Sequence, residues 1–168
     1  TSVKSGHPSL LHTWWARRPL ASCRAVLSSL LLPDPMDKHC PEEFKEKARE
    51  LLSELHRPIG DSDEDLRRAL LTFVGELANE ELSRIEPYRS IIRSLVAATH
   101  EDRLYLFDPF SGGGSIPLEG LKVGCEVTAS DLNPVAWLLL KIALEWCPRR
   151  GNELSELFQV WSGWVLTE

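Results

Sequence analysis

The stretch Leu104-Tyr-Leu-Phe-Asp-Pro-Phe-Ser-Gly-Gly-Gly-Ser115 decides how this chain is read. A short apolar run ends in a carboxylate, Asp108, and Pro109 and three glycines follow before a helical pattern begins. A second apolar run, Cys125 to Asp131, alternates Cys, Val and Ala with Glu, Thr and Ser, and ends in another acid. The order strand, loop, helix, strand, helix predicts a right-handed crossover and a parallel sheet. The fold class expected is therefore α/β, built on a Rossmann-like β-α-β-α unit. Such folds present a ligand to a helix N-terminus at the carboxyl edge of the sheet.

Working outward from that loop, Ser115–Val123 reads as a helix with Pro117 in its first turn and Gly124 as its C-terminal cap. Pro134–Trp146 is almost wholly apolar and is expected to be a buried helix. Leu154, Leu157, Phe158, Trp161, Trp164 and Val165 form a further apolar stripe. That stripe suits either a terminal helix docked on this domain or a helix leading into further sequence. On the N-terminal side, Leu20, Cys23, Val26, Leu27, Leu30 and Leu31 recur at helical spacing after Pro19 and stop at Pro33 and Pro35. Between them lie three more amphipathic patterns: Phe44 to Leu55, Leu66 to Leu77 and Tyr88 to Val96. Ser62-Asp-Glu-Asp65 is a capping box ahead of the second. The expected division is an N-terminal box and helix (1–37), a helical insert (38–102), the cofactor-binding unit (103–150) and a C-terminal helix (151–168). The insert is expected to pack and to keep its acids in solvent, with partner binding as the alternative.

Composition narrows the class. The chain has 168 residues and is 43% hydrophobic, enough for a core. It begins at Thr1 and has one methionine, Met36, and so reads as a piece of a longer protein. No run approaches the roughly 18 apolar residues of a membrane span, so no membrane partner is expected. Four cysteines without a C-x-x-C pair suit reduced thiols in a cytoplasmic protein, with no metal site. The net charge of −6 divides into +4 over residues 1–33 and −10 over the remainder.

The loop itself selects among nucleotide-like ligands. Gly112, Gly113 and Gly114 let a backbone approach a ligand closely. Asp131 can accept both hydroxyls of a ribose. Gly112 and Gly114 start a G-x-G-x-x-G pattern, but its third position is Pro117. Asp108 would repel a pyrophosphate and would suit the ammonium of a methionine moiety. S-adenosyl-L-methionine has an amine, a sulfonium and a ribose but no phosphate, and it fits better than NAD. A dinucleotide-binding oxidoreductase domain and a non-catalytic interaction module are the alternatives.

Trp14, Trp15, Arg17 and Arg18 combine stacking surface with phosphate-pairing charge, a combination used on nucleic acid. Tryptophan packing and ion pairing with the abundant acids suit them equally. His7 and His12 can act in base chemistry, but they lack a paired nucleophile or a metal cluster and are read first as structural.

Asp108-Pro-Phe-Ser-Gly-Gly-Gly-Ser115 resembles the D-P-F-x-G-x-G motif of DNA amino-methyltransferases, and Ser130-Asp-Leu-Asn-Pro134 resembles their following acidic motif. His7-Pro-Ser-Leu-Leu-His-Thr-Trp-Trp-Ala-Arg-Arg-Pro-Leu20 is similar to the N-terminal box of a family of adenine-specific DNA methylases, class I S-adenosylmethionine-dependent enzymes. The likeness covers roughly residues 5–35 and 104–147; the insert carries no matching motif. The resemblance implies that Asp108 faces the methionine amine and that Pro109, Phe110, Ser111, the three glycines and Ser115 lie against the cofactor. It further implies that Asp131 holds the ribose, that Leu132 and Asn133 flank the adenine, and that Trp15, Arg18 and Pro19 wall the methionine end. Trp14, Arg17 and His7 are the corresponding substrate-side candidates. The implied reaction is in-line attack of an exocyclic base nitrogen on the sulfonium methyl, with DNA as partner and RNA as a variant. The family's Asp/Asn-Pro-Pro-aromatic motif, which polarises that amino group on a flipped base, does not occur. Asp34-Pro35 and Asp108-Pro109 both continue differently. No catalytic residue is therefore assigned in this chain, which is expected to be inactive alone and to work with the remainder of a longer polypeptide.

Overall fold

The structure is a computed structural model that describes residue 14 and residues 18–55, 58–100 and 102–166. Its elements are α1 (Leu20–Leu31), α2 (Glu42–Ser53), α3 (Asp63–Leu77), α4 (Tyr88–Thr99), β1 (Tyr105–Asp108), α5 (Ser115–Val123), β2 (Glu126–Ala129), α6 (Pro134–Leu140) and α7 (Cys147–Leu166). A short 3-10 turn covers Leu82–Arg84, and a π-helical stretch, Lys141–Trp146, joins α6 to α7. The two strands lie side by side and parallel, with α5 as the crossover. The chain is thus α/β, mostly helical, with a small parallel sheet.

The described residues divide into two compact units. The larger comprises Arg18–Asp108 and Ser115–Thr128; the smaller holds Trp14, Pro109–Gly114 and residues 129–166.

In the larger unit the three amphipathic patterns of the insert become the core. Phe44, Ala48, Leu51 and Leu52 of α2 meet Leu66, Leu70, Phe73 and Leu77 of α3 and Ile91, Ile92, Leu95 and Val96 of α4. These positions recur at three- and four-residue spacing, so each helix buries one stripe. Val123 and Cys125 belong to the same cluster, and Leu104, Leu106 and Val127 pack against it. The helices and the sheet therefore share one core.

Helix α3 starts as its sequence predicts. Ser62 Oγ accepts from the Asp65 N–H at 3.1 Å, and the Ser62 hydroxyl donates to the Asp65 carboxylate at 2.6 Å. That bond holds the Asp65 carboxyl below its usual range. Arg49 clamps the preceding loop by donating to the Asp61 and Ser62 carbonyls at 2.9 and 3.0 Å. Substituting Ser62 by Ala is expected to cost about 1 kcal/mol. Urea unfolding should show a lower midpoint at unchanged m-value, and an unchanged midpoint would dismiss the cap.

Helix α1 departs from the sequence reading. Its buried stripe is Leu20, Arg24 and Ser28, whereas Val26 and Leu30 are exposed. Leu20 is buried and Leu27 and Leu31 pack against the core, but Val26 and Leu30 face solvent, and the inner face also carries a charge pair with α5. Arg24 is 3% exposed and Glu119 is fully buried. Nε of Arg24 donates to Glu119 Oε2 at 2.5 Å, Nη2 to Oε1 at 3.1 Å, and Nη1 to the Leu77 carbonyl at 2.6 Å.

Helix α5 approaches the sheet closely at Gly120. A Cβ there would lie 3.0 Å from Leu106 Cδ1 and 3.3 Å from Val127 Cγ2. The close helix–strand approach that Pro117 does not offer is made three residues later, a role the G-x-G-x-x-G spacing did not reveal.

In the smaller unit α6 was expected to be buried because it is almost wholly apolar. Only Ala136 and Leu140 are buried, and Val135, Trp137 and Leu138 remain exposed. An all-apolar helix is buried only where neighbours surround it, and among the described residues of this unit one stripe is covered. In α7, Leu157 and Trp161 are likewise exposed, while the side chains of Leu154, Phe158, Trp164 and Val165 lie outside the description. Arg150 leaves helical geometry (φ −131°, ψ 18°) and marks a kink.

Candidate functional site

The smaller unit brings the glycine loop and the second acid together. Ser111 donates its N–H to the Ser130 carbonyl at 3.0 Å, and the Ser130 hydroxyl donates to the Pro109 carbonyl at 3.2 Å. These bonds lay residues 109–111 beside residue 130. Gly112 and Gly114 have φ of +50° and +75°, which side chains with a Cβ rarely adopt. The turn they make aims the Gly112 N–H at Asp131 Oδ2, 2.7 Å away. Asp131 Oδ1 accepts the Asn133 N–H at 2.9 Å.

Each carboxylate oxygen of Asp131 thus receives one backbone N–H. The Asn133 and Gly112 N–H groups, in that order of effect, hold the Asp131 carboxyl below its usual range. A carboxylate has about four lone-pair sites, so two bonds leave it able to accept hydroxyl protons from a ligand. The Gly112 N–H serves Asp131, and the Gly114 N–H donates to the Ser111 carbonyl at 2.8 Å. The loop is pinned by its own chain through these groups.

Asn133 caps α6, its Oδ1 accepting the Val135 N–H at 2.9 Å. Leu132 is 93% exposed and Phe110 is 78% exposed, so two large apolar side chains stand in solvent on either side of the loop–acid pair in sequence. Ser111 is buried. Trp14 lies on the loop: a Cβ at Gly112 would be 2.8 Å from its Nε1, and one at Gly113 would be 3.3 Å from its Cβ. The indole therefore has a packing role against the two glycines, whatever else it contacts.

The other expected residues that are described belong to the larger unit. Asp108 closes β1, and Ser115, buried, opens α5. Pro19 occupies the N-cap position of α1 at φ −61°, and Arg18 before it is exposed. Burial raises the Cys23 thiol pKa; the negative charge of Glu119 raises it further, the Arg18 guanidinium opposes this, and Asp108 adds a smaller upward push. Arg18, Asp108 and Glu119 therefore act on the same thiol. His7, His12, Trp15 and Arg17 lie outside the described residues.

Among the described residues no group of His, Cys, Asp and Glu could hold a metal ion. No helix among them is long and apolar enough to cross a membrane. Sequence reasoning missed Glu119, whose carboxylate also accepts from Lys122 Nζ at 2.8 Å. An isolated acid on a short helix gives no local signal of a partner 95 residues away.

No curated protein and no solved structure matches the chain. Residues 1–55, a range that takes in the N-terminal box, α1 and α2, are similar to a family described as a protein of unknown function (DUF1156).

Proposed function

We propose that this chain is the cofactor-binding portion of an S-adenosylmethionine-dependent nucleic-acid methyltransferase acting on the exocyclic amino group of adenine in DNA. In this reading β1, α5 and β2 are one repeat of a Rossmann-like sheet. The observation that carries it is the Asp131 carboxylate, bridged between the Gly112 and Asn133 N–H groups with acceptor capacity to spare. A carboxylate fixed this way, just past the second strand and beside a glycine turn, suits the two hydroxyls of a ribose. Asp108, the residue bonded to Pro109, supplies the negative charge that favours an ammonium over a pyrophosphate. Leu132 and Phe110 offer apolar contact to a flat base. No residue is assigned to the base chemistry, since the chain has no Asp/Asn-Pro-Pro-aromatic motif.

Calorimetric titration with S-adenosylmethionine and S-adenosylhomocysteine tests this, with NAD alongside. Saturable heat is expected with the first two and none with NAD. Removing two charge-assisted hydrogen bonds is worth about 3 kcal/mol, so Asp131→Ala should bind about 100-fold more weakly. Leu132→Asp alters a side chain that holds nothing in the fold, so it should weaken binding without moving the melting temperature. Since backbone N–H groups depress the Asp131 carboxyl, its charge, and binding with it, persists as pH falls through the ordinary carboxylate range and is lost only below it. Wild-type protein that gives no heat with either ligand would end the cofactor assignment.

A further inference from the structure

Arg24 and Glu119 form a buried charge pair that the proposed cofactor site does not use. A buried ion pair is seldom more stable than apolar side chains of the same shape, because desolvation offsets the attraction. What such a pair supplies is direction. A guanidinium fork on a carboxylate allows one relative orientation of the two backbones. Here the fork is bidentate, and its third donor is fixed on the Leu77 carbonyl at the end of α3. Three helices meet at one side chain.

The position of the pair within the larger unit matters. Arg24 lies in the second turn of α1, just after Arg18 and Pro19, and Glu119 lies one turn after Ser115 in α5. The Cys23 N–H donates to the Pro19 carbonyl at 3.1 Å, and the Cys23 thiol feels Glu119, Arg18 and Asp108 together. Helix α1 thus packs on α5 at this pair, and α5 packs on β1.

We propose that Arg24 and Glu119 are positioning residues for the methionine end of the cofactor site: they set the register of α1 on α5, and so the spacing of Arg18 and Pro19 from Asp108 and Ser115. The proposal rests on the S-adenosylmethionine reading. Asp131 and the loop, which would hold the adenosine end, belong to the smaller unit.

The test compares S-adenosylhomocysteine with 5′-methylthioadenosine, which lacks the amino-acid end, on wild type and the double variant Arg24→Met/Glu119→Leu. The double variant should unfold cooperatively within roughly 5 °C of wild type, because an apolar pair replaces the charges. Its Kd for S-adenosylhomocysteine should rise about tenfold, as for a site left slightly loose, while its Kd for methylthioadenosine stays unchanged. Arg24→Lys, which keeps the charge and loses the fork, should show the same selective loss if the double variant does not fold. Unchanged affinity for both ligands, or equal loss of both, overturns the positioning role and leaves the cofactor reading standing. If wild type binds neither ligand, the cofactor reading fails and the positioning role fails with it.

Discussion

Replacing Glu119 by Leu is expected to destabilise the protein by about 3–5 kcal/mol, the usual cost of stripping one partner from a buried ion pair. The Arg24 guanidinium, 3% exposed, would keep only the Leu77 carbonyl, a neutral acceptor. Leu is at least as good a helix former as Glu, so the loss would come from the stranded charge and not from α5 itself. Lys122 would not suffer, since its side chain is 39% exposed and can turn to water. Arg24→Met should cost less, because Glu119 would retain Lys122 Nζ at 2.8 Å. In a thermal melt Glu119→Leu should lower Tm by roughly 10 °C, with Arg24→Met in between. A Tm within 2 °C of wild type, on the order of 1 kcal/mol or less, would mean that the two groups are not buried together.

Phe73→Ala is expected to cost about 3–5 kcal/mol, the range for removing a buried aromatic side chain. Phe73 has no exposure, lies in the middle of α3, and stacks on Tyr88 with ring centroids 5.9 Å apart and planes 7° from parallel. Its removal would open a cavity among α2, α3 and α4, and most of the space could not close because the neighbours already sit in a packed core. Leu71, two residues away and 63% exposed, is the control. Leu71→Ala should change stability by less than about 0.5 kcal/mol. Urea unfolding of the two variants separates the cases, and a similar small loss for both would show that α3 does not present the Phe73 face to the core.

These two substitutions mark how much could be read locally. Phe73 belongs to a stripe of apolar residues on an otherwise charged helix, and helical periodicity alone placed it in the core. The stripes of α2 and α4 were legible for the same reason, as was the cap at Ser62, where one hydroxyl and one carboxylate three residues apart satisfy each other. Glu119 had no such signal. Helix α1 was legible only in part: Leu20, Leu27 and Leu31 do meet the core, but its apolar residues spread over more than one face, so period alone could not set Val26 and Leu30 apart or reveal Arg24 and Ser28 as buried. Helix α6 was misjudged for a related reason: a uniformly apolar sequence says that burial is favourable but not which faces neighbours will cover.

The glycine loop shows the same division. By itself the sequence determined the order of a strand ending in an acid, a Gly-rich turn, a helix and a second strand leading to another acid 23 residues on, because strand, turn and helix are set largely by local backbone preference and side-chain pattern. Only the tertiary structure decided what the groups do. It committed the Gly112 N–H to Asp131, laid Trp14 against the two glycines, moved the close helix–strand approach to Gly120, and buried Arg24 against Glu119. Each of these is a contact between residues distant in the chain, fixed by desolvation and hydrogen-bond geometry once the core has formed, and no periodicity along the sequence encodes it.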